Sequence, residues 1–276
     1  MTATFDFTAA DSYIVNCSTL LTELPVMERA QAAKDAGFDR VEFWWPFDGN
    51  PTPSQAEVDE FIASLETAGV ELAGLNFWAG NMAGGDRGMV SILGAEADFA
   101  ANVDIVVEIG RRTGCKAFNA LYGLRTEGQD PADQDAAALA NLALAARAVS
   151  KIDGTVLVEP VSGAEDYPLK RYADAAEVVA RVRADGAENV AVLADLFHMS
   201  VNGDDVAAVI EAEAANFGHI QIADAEGRGA PGTGQLPLSE LIDRAYGLGY
   251  TGPIALEYKQ DRATAFDWLT PAAQTA

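Results

Sequence analysis

Basic residues, histidine and cysteine are all scarce in this 276-residue sequence. Lysine and arginine total 18 against 42 aspartates and glutamates, a formal charge of −24. So acidic a surface repels nucleic-acid phosphates and anionic membranes, because binding either requires Lys and Arg to displace counterions. Neither a nucleic acid nor a membrane is therefore expected as a partner. A small anion is also repelled at long range, so a site for one must carry local positive charge from a metal or a placed arginine. Cys17 and Cys115 stand far apart in apolar, strand-like runs and read as buried free thiols rather than a disulfide or a metal pair. No apolar run reaches the roughly 20 residues that a bilayer span needs. Met1 to Asp11 contain no basic stretch followed by an apolar one, so no secretory signal is expected and a cytoplasmic location is.

Apolar residues are plentiful, at 49% of the chain, and they fall in alternating patterns. Strand-like runs occupy Tyr13–Cys17, Arg40–Trp44, Val70–Phe77, Ala117–Leu121, Thr155–Glu159, Asn189–Asp195, Gly218–Ala223 and Pro253–Glu257. Helical patterns lie between them at Val26–Ala36, Ser54–Ala68, Ala95–Thr113, Ala132–Lys151, Leu169–Asp185, Asp204–Asn216 and Leu238–Tyr246, and a short helical tail is expected at the end. Ser54 and Glu57 have the spacing of a capping box. Gly37, Gly69, Gly114, Gly154 and Gly186 stand where left-handed helix stops belong. Strand–helix alternation implies parallel strands with helical crossovers. Eight such units without an interrupting domain predict an α/β fold of the (β/α)8 TIM-barrel type, which typically needs roughly 250 residues. One domain would then span residues 1–276, with a short N-terminal extension at 1–11 and a C-terminal tail at 260–276.

In such a barrel the C-terminal strand ends face the active site. Four successive late strands end on or near a polar group able to bind a metal: Glu159, Asp195, Gln221 and Glu257. An apolar strand that terminates in one carboxylate, as in VLVEP or IALEY, puts that carboxylate at the mouth. Three carboxylates and an amide oxygen form an all-oxygen set suited to Mg²⁺ or Mn²⁺. Each taken singly is equally compatible with a strand-end residue satisfied by loop backbone. Glu42, in RVEFWW, is expected to support the site or touch substrate. His198, three residues after Asp195, is placed to carry a proton or donate to substrate, whereas His219, at the start of the seventh strand, reads as structural. Arg228 and Lys259 follow the last two strands and are the positive charges an anionic substrate would meet. Gly227–Gly232 spells G-x-G-x-x-G, yet Pro231 to Gly234 prolong a loop where a dinucleotide fold would start its helix, so a loop over the mouth is expected instead.

Two glutamates around a metal-held α-hydroxycarbonyl suit aldose–ketose isomerisation or epimerisation. One carboxylate removes a proton from carbon and the other returns one to the neighbouring carbon. VEFWWPFD, WAGNMAGGDRG, VLVEP, the D-x-x-H-M of Asp195–Met199, HIQIAD, GRGAPGTG and LEYK, in this order, resemble the hydroxypyruvate isomerase family of xylose-isomerase-like barrels. The resemblance runs from about Asn16 to Lys259. It implies Glu159 and Glu257 as the catalytic pair, and Glu159, Asp195, Gln221 and Glu257 as ligands of a divalent cation that is weakly held. It implies a small anionic hydroxy-keto acid as substrate, namely hydroxypyruvate interconverting with tartronate semialdehyde. Related sugar epimerases usually carry histidine where Gln221 stands, which favours the hydroxypyruvate branch. Leu75 before Asn76, Ala230 and Gln235 depart from the family pattern, and they leave a 2-oxo-tetronate or another related substrate open. Ketose 3-epimerisation, dehydration of a keto-sugar and a non-catalytic binding role are the competing readings. DNA repair on the same barrel would need several histidines and a basic face that are missing here. Barrels of this type often assemble as dimers or tetramers, so a homo-oligomer is compatible with the sequence.

Overall fold

The eight apolar runs pair in chain order and close on themselves. In the computed structural model, which describes residues 5–269, the strands are β1 (Tyr13–Asn16), β2 (Arg40–Phe43), β3 (Glu71–Asn76), β4 (Ala117–Asn119), β5 (Thr155–Val158), β6 (Val190–Asp195), β7 (Phe217–Ile222) and β8 (Ile254–Leu256). Every neighbouring pair is parallel, and β8 returns to β1 through Tyr13↔Ile254 and Val15↔Leu256. The crossover helices are α1 (Val26–Asp35), α2 (Gln55–Ala68), α3 (Glu96–Thr113), α4 (Pro131–Val149), α5 (Tyr172–Ala184), α6 (Leu196–Val201), α7 (Val206–Glu213) and α8 (Leu238–Gly247). Strands β1, β6 and β8 are buried along their whole length, because the helices cover one face and the barrel interior the other. The fold is thus the single (β/α)8 barrel that the alternation implied. No described helix is long and apolar enough to cross a membrane, and both cysteines are free and buried.

Local signals hold in most places. Ser54 caps α2, with Glu57 completing the reciprocal box. Gly37, Gly69, Gly114 and Gly186 take positive φ, but at the fourth crossover Asp153, with φ 55°, takes that role ahead of Gly154. Two expectations need correction. The expected helix over Asp204–Asn216 is preceded by a separate short helix, α6, whose N-cap is Asp195 itself. The expected helical tail is instead a series of turns as far as residue 269. Residues 1–4 of the extension and 270–276 of the tail lie outside the described residues. The rest of the extension packs against the barrel, with Phe5 and Phe7 against Tyr13 and the Tyr13 hydroxyl donating to the Phe7 carbonyl at 2.7 Å.

The barrel interior is narrow. Leu157, Ala191 and Leu193 form a small apolar layer within it. A Cβ at Gly218 would stand 2.6 Å from Leu157 and 2.7 Å from Ala191, so β7 needs glycine there. Beside this layer the lumen turns polar, and the groups that converge on the mouth begin.

Candidate active site

Glu159 follows β5, Asp195 ends β6, Gln221 lies near the end of β7 and Glu257 follows β8. All four are buried. Asp195 pairs in register with Gln221, so the two stand side by side on neighbouring strands. Asp195 Oδ1 accepts the Phe197 and His198 backbone N–H groups at 2.8 and 3.1 Å, which fixes the carboxylate at the start of α6. Its Oδ2 and the Gln221 Oε1 are buried without any hydrogen-bond partner. Glu159 Oε2 accepts from Asn119 Nδ2 at 2.7 Å. The backbone at Glu159 is pinned as well, because its carbonyl accepts from the Tyr167 hydroxyl at 3.0 Å.

Glu257 is held differently. Trp44 Nε1 donates to its Oε1 at 2.9 Å, and Arg228 Nη2 meets its Oε2 at 2.8 Å. The same Nη2 stands 3.5 Å from Asp195 Oδ2, and the guanidinium lies over Phe197 at 5.5 Å from the ring centroid. Arg228 also donates Nε to the Glu257 carbonyl, and its own carbonyl accepts from Lys259 N–H at 2.7 Å. With φ 58°, Arg228 is held in a left-handed conformation that costs a non-glycine residue roughly 1–2 kcal/mol. The GRGAPG segment is therefore an ordered loop. Asp224 braces it by accepting the Gly232 and Leu236 N–H groups, and no helix begins before Leu238.

His198, in α6, points Nε2 at 3.8 Å from Glu159 Oε1 and 3.6 Å from Asp195 Oδ2. Its Nδ1 accepts the Ser162 backbone N–H at 3.0 Å, with the Ser162 hydroxyl at 2.7 Å. A backbone N–H can only donate, so Nδ1 is the acceptor and Nε2 carries the proton. Burial, followed by the charge of Arg228, pushes His198 down to about 3, and the ring is neutral at ordinary pH. It therefore presents one N–H donor to the mouth.

The carboxylates are crowded in the opposite sense. Burial, then the charges of Glu257 and Asp195, holds Glu159 well above the usual carboxylate range. Burial also raises Asp195, against the pull of Arg228. Glu257 is pushed up to about 7 by burial, with Arg228 opposing and Asp195 and Glu42 adding to the rise. Carboxyls raised in the folded state bind more protons there than in the unfolded chain. For Glu257 the resulting stabilisation is complete below about pH 4.5 and is lost as the pH climbs through about 7. Metal-free protein is expected to melt at a lower temperature at pH 8 than at pH 5.5, with a shallower slope in Glu257→Gln. Thermal unfolding in the presence of chelator measures this, and a melting temperature that rises over that interval would contradict it.

The mouth is a cavity of about 870 Å³. Glu159, His198, Arg228, Glu257 and Lys259 line it, together with Trp44. Glu42 does not. Its carboxylate is buried in the lumen, accepting from Asn16, Gln221 and His219, so of its two expected roles the structure is consistent with support. Burial raises this carboxyl, but His219 and the three hydrogen bonds outweigh burial and hold it below its usual range. His219, expected away from the mouth, is part of the same lumen cluster. Sequence reasoning did not single out Asn119, Ser162 or Tyr167. Asn119 ends β4 as Glu159 follows β5, and that position was the available signal.

The donor set fits a hard divalent cation. Glu159, Asp195 and His198 bring ligand atoms within 4.8 Å of one another, but the fixed tautomer leaves His198 Nε2 without a free lone pair. The acceptors without a hydrogen bond are oxygens: Gln221 Oε1, with no partner at all, and Asp195 Oδ2 and Glu257 Oε2, which have only the ion-pair contact with Arg228; Glu159 Oε1 faces His198 at 3.8 Å. Buried oxygens of this kind suit Mg²⁺ or Mn²⁺.

Residues 30–275 match the family model described as "Xylose isomerase-like TIM barrel". A Streptomyces coelicolor protein provisionally named hydroxypyruvate isomerase is 50% identical, covering 97% of this chain and 99% of its own. The 2-oxo-tetronate isomerase of Cupriavidus necator is 32% identical, over 94% of this chain and 97% of its own. Among solved structures, a Brucella melitensis protein titled AP endonuclease, family 2, superposes with a TM-score of 0.81 at 31% identity, covering 93% and 96% of the two chains.

Proposed function

The chain belongs to the xylose isomerase-like TIM-barrel family and is an isomerase of that family; within it, we propose that the chain interconverts hydroxypyruvate and 2-hydroxy-3-oxopropanoate (tartronate semialdehyde). The observation that carries this reading is the pair Glu159 and Glu257, both buried and both facing the mouth cavity beside Arg228; burial raises the proton affinity of each. Two carboxyls of this kind can exchange protons with carbon near neutral pH. Their surroundings differ in the sense the chemistry needs. Glu257 has an ion pair and an indole N–H, which favour its carboxylate form. Glu159 has one amide donor, and burial with the charges of Glu257 and Asp195 favours its protonated form.

One glutamate takes a proton from C3 of hydroxypyruvate, and the C–H electrons form the C2–C3 double bond of an enediol as the C2 oxygen gains a proton. The other glutamate delivers a proton to C2, and the C3 oxygen gives up its own to become the aldehyde. The reverse reaction exchanges the two roles. His198 Nε2–H donates to a substrate oxygen, and Arg228 with Lys259 attracts the substrate carboxylate into an otherwise acidic protein. Glu159, Asp195, Gln221 and Glu257 are the proposed ligands of a divalent cation. Such a cation, when bound, would orient the hydroxyl and carbonyl oxygens and stabilise charge developing on them.

A 2-oxo-tetronate is the second reading, because a cavity of about 870 Å³ is roomy for a three-carbon acid. A nucleic-acid substrate is disfavoured by the charge of −24. Purified protein is expected to turn over hydroxypyruvate in a panel with 2-oxo-tetronates and ketohexoses. Epimerisation of a ketose with no turnover of hydroxypyruvate would refute the assignment.

A further inference from the structure

Gln221 differs from the other proposed ligands in one respect. A carboxylate offers oxygen at either end, whereas an amide offers oxygen at one end and two N–H donors at the other. Which end of Gln221 faces the site is decided by what the opposite end touches. Its Nε2 lies 2.7 Å from Glu42 Oε1. Asn16 Nδ2 donates to that same oxygen at 2.8 Å, and His219 Nε2 lies 2.8 Å from Oε2. A carboxylate ringed by three nitrogen donors acts only as an acceptor, so the Gln221 NH₂ is committed to Glu42. Its Oε1 must turn the other way, where it is buried and lacks a partner.

The barrel is shaped around this contact. Strands β2 and β7 are not neighbours, so Glu42 meets Gln221 and His219 across the lumen. The ladder between β2 and β3 shifts register between Val41 and Glu42, and Glu42 then lies opposite Gly74. A Cβ at Gly74 would stand 3.1 Å from both Cβ and Oε2 of Glu42, tighter than most such contacts. A bulge and a glycine thus leave room for one carboxylate in the lumen.

We propose that Glu42 is a positioning residue that locks the Gln221 amide with its oxygen toward the cation site, and thereby sets the affinity of that site. This rests on the divalent-cation reading given under Proposed function. Calorimetric titration of the full-length protein with Mn²⁺ tests it, using Glu42→Asp, Glu42→Gln and the interchange E42Q/Q221E. Glu42→Asp keeps the charge but withdraws the carboxylate by one methylene. Both single variants are expected to weaken Mn²⁺ by about ten- to a hundredfold, the usual cost of losing a group behind a metal ligand. The interchange puts at position 221 a carboxylate that offers oxygen in either orientation, and it is expected to recover most of the loss. Single variants that bind Mn²⁺ like the parent would overturn the proposal. So would weakening in Glu42→Gln alone, which would reduce the effect to charge. Equal weakening in the interchange would also overturn it, since Glu42 would then serve only to support the barrel. The interchange keeps the carboxylate–amide pairing, so it remains informative where a single variant fails to fold. If the parent protein itself binds no Mn²⁺, the cation reading fails, and that outcome is distinct from the failure of Glu42 as its positioner.

Discussion

Glu159→Gln is expected to lower turnover of hydroxypyruvate at least about a thousandfold, within the roughly 10²- to 10⁴-fold that positioned acid–base groups contribute. Glutamine preserves the shape and still accepts from Asn119, but it cannot exchange a proton with carbon. The substitution should not weaken the fold. Burial and the charges of Glu257 and Asp195 already disfavour ionised Glu159, so a neutral isostere removes an unfavourable charge. Metal-free Glu159→Gln is expected to melt no lower than the parent at pH 8. This separates the reading from a structural one, because a residue that holds the barrel together would lose activity and stability together. Steady-state kinetics at saturating Mn²⁺ beside a thermal melt makes the comparison, and retained turnover would refute the assigned role.

Removal of divalent cations is expected to have the second-largest effect. Dialysis against chelator should reduce turnover by at least about a hundredfold, and Mn²⁺ or Mg²⁺ should restore it, because Lewis-acid stabilisation of developing charge is worth several kcal/mol. Arg228 alone is a poor substitute, since its charge is already shared between Glu257 and Asp195. Restoration should be steeper at pH 8 than at pH 6, because Glu257, pushed up to about 7, must lose its proton before it can act as a ligand. Full activity after exhaustive chelation would show that the oxygen set does not serve a cation.

The barrel was legible because strands buried on both faces read as unbroken apolar runs, such as TVLV and IAL, between helices with clear stops. Strand ends were less so. Cys17 and Leu121 are apolar enough to extend a run, yet both lie beyond the ladder. Helix α6 escaped notice because six residues complete less than two turns and set up no periodicity. Glu159, Asp195, Gln221 and Glu257 stood out as single polar groups closing apolar strands. Their supports did not, since Asn119 meets Glu159 only through the β4–β5 register, and Ser162 reaches His198 from a loop. Glu42 shows the same limit. RVEFW resembles the other strand ends, but a register shift and the facing Gly74 turn its carboxylate into the lumen, and no sequence pattern encodes that shift.

Isomerisation in D₂O tests the two-glutamate account most directly. If one carboxyl takes the C3 proton and a different one supplies C2, the tartronate semialdehyde formed should carry about one solvent deuterium at C2. Mass spectrometry or NMR of the trapped product would read this. Product formed at the full rate with no deuterium at C2 would mean that the C3 hydrogen itself reaches C2, by hydride shift or on one shielded base, and would contradict the account.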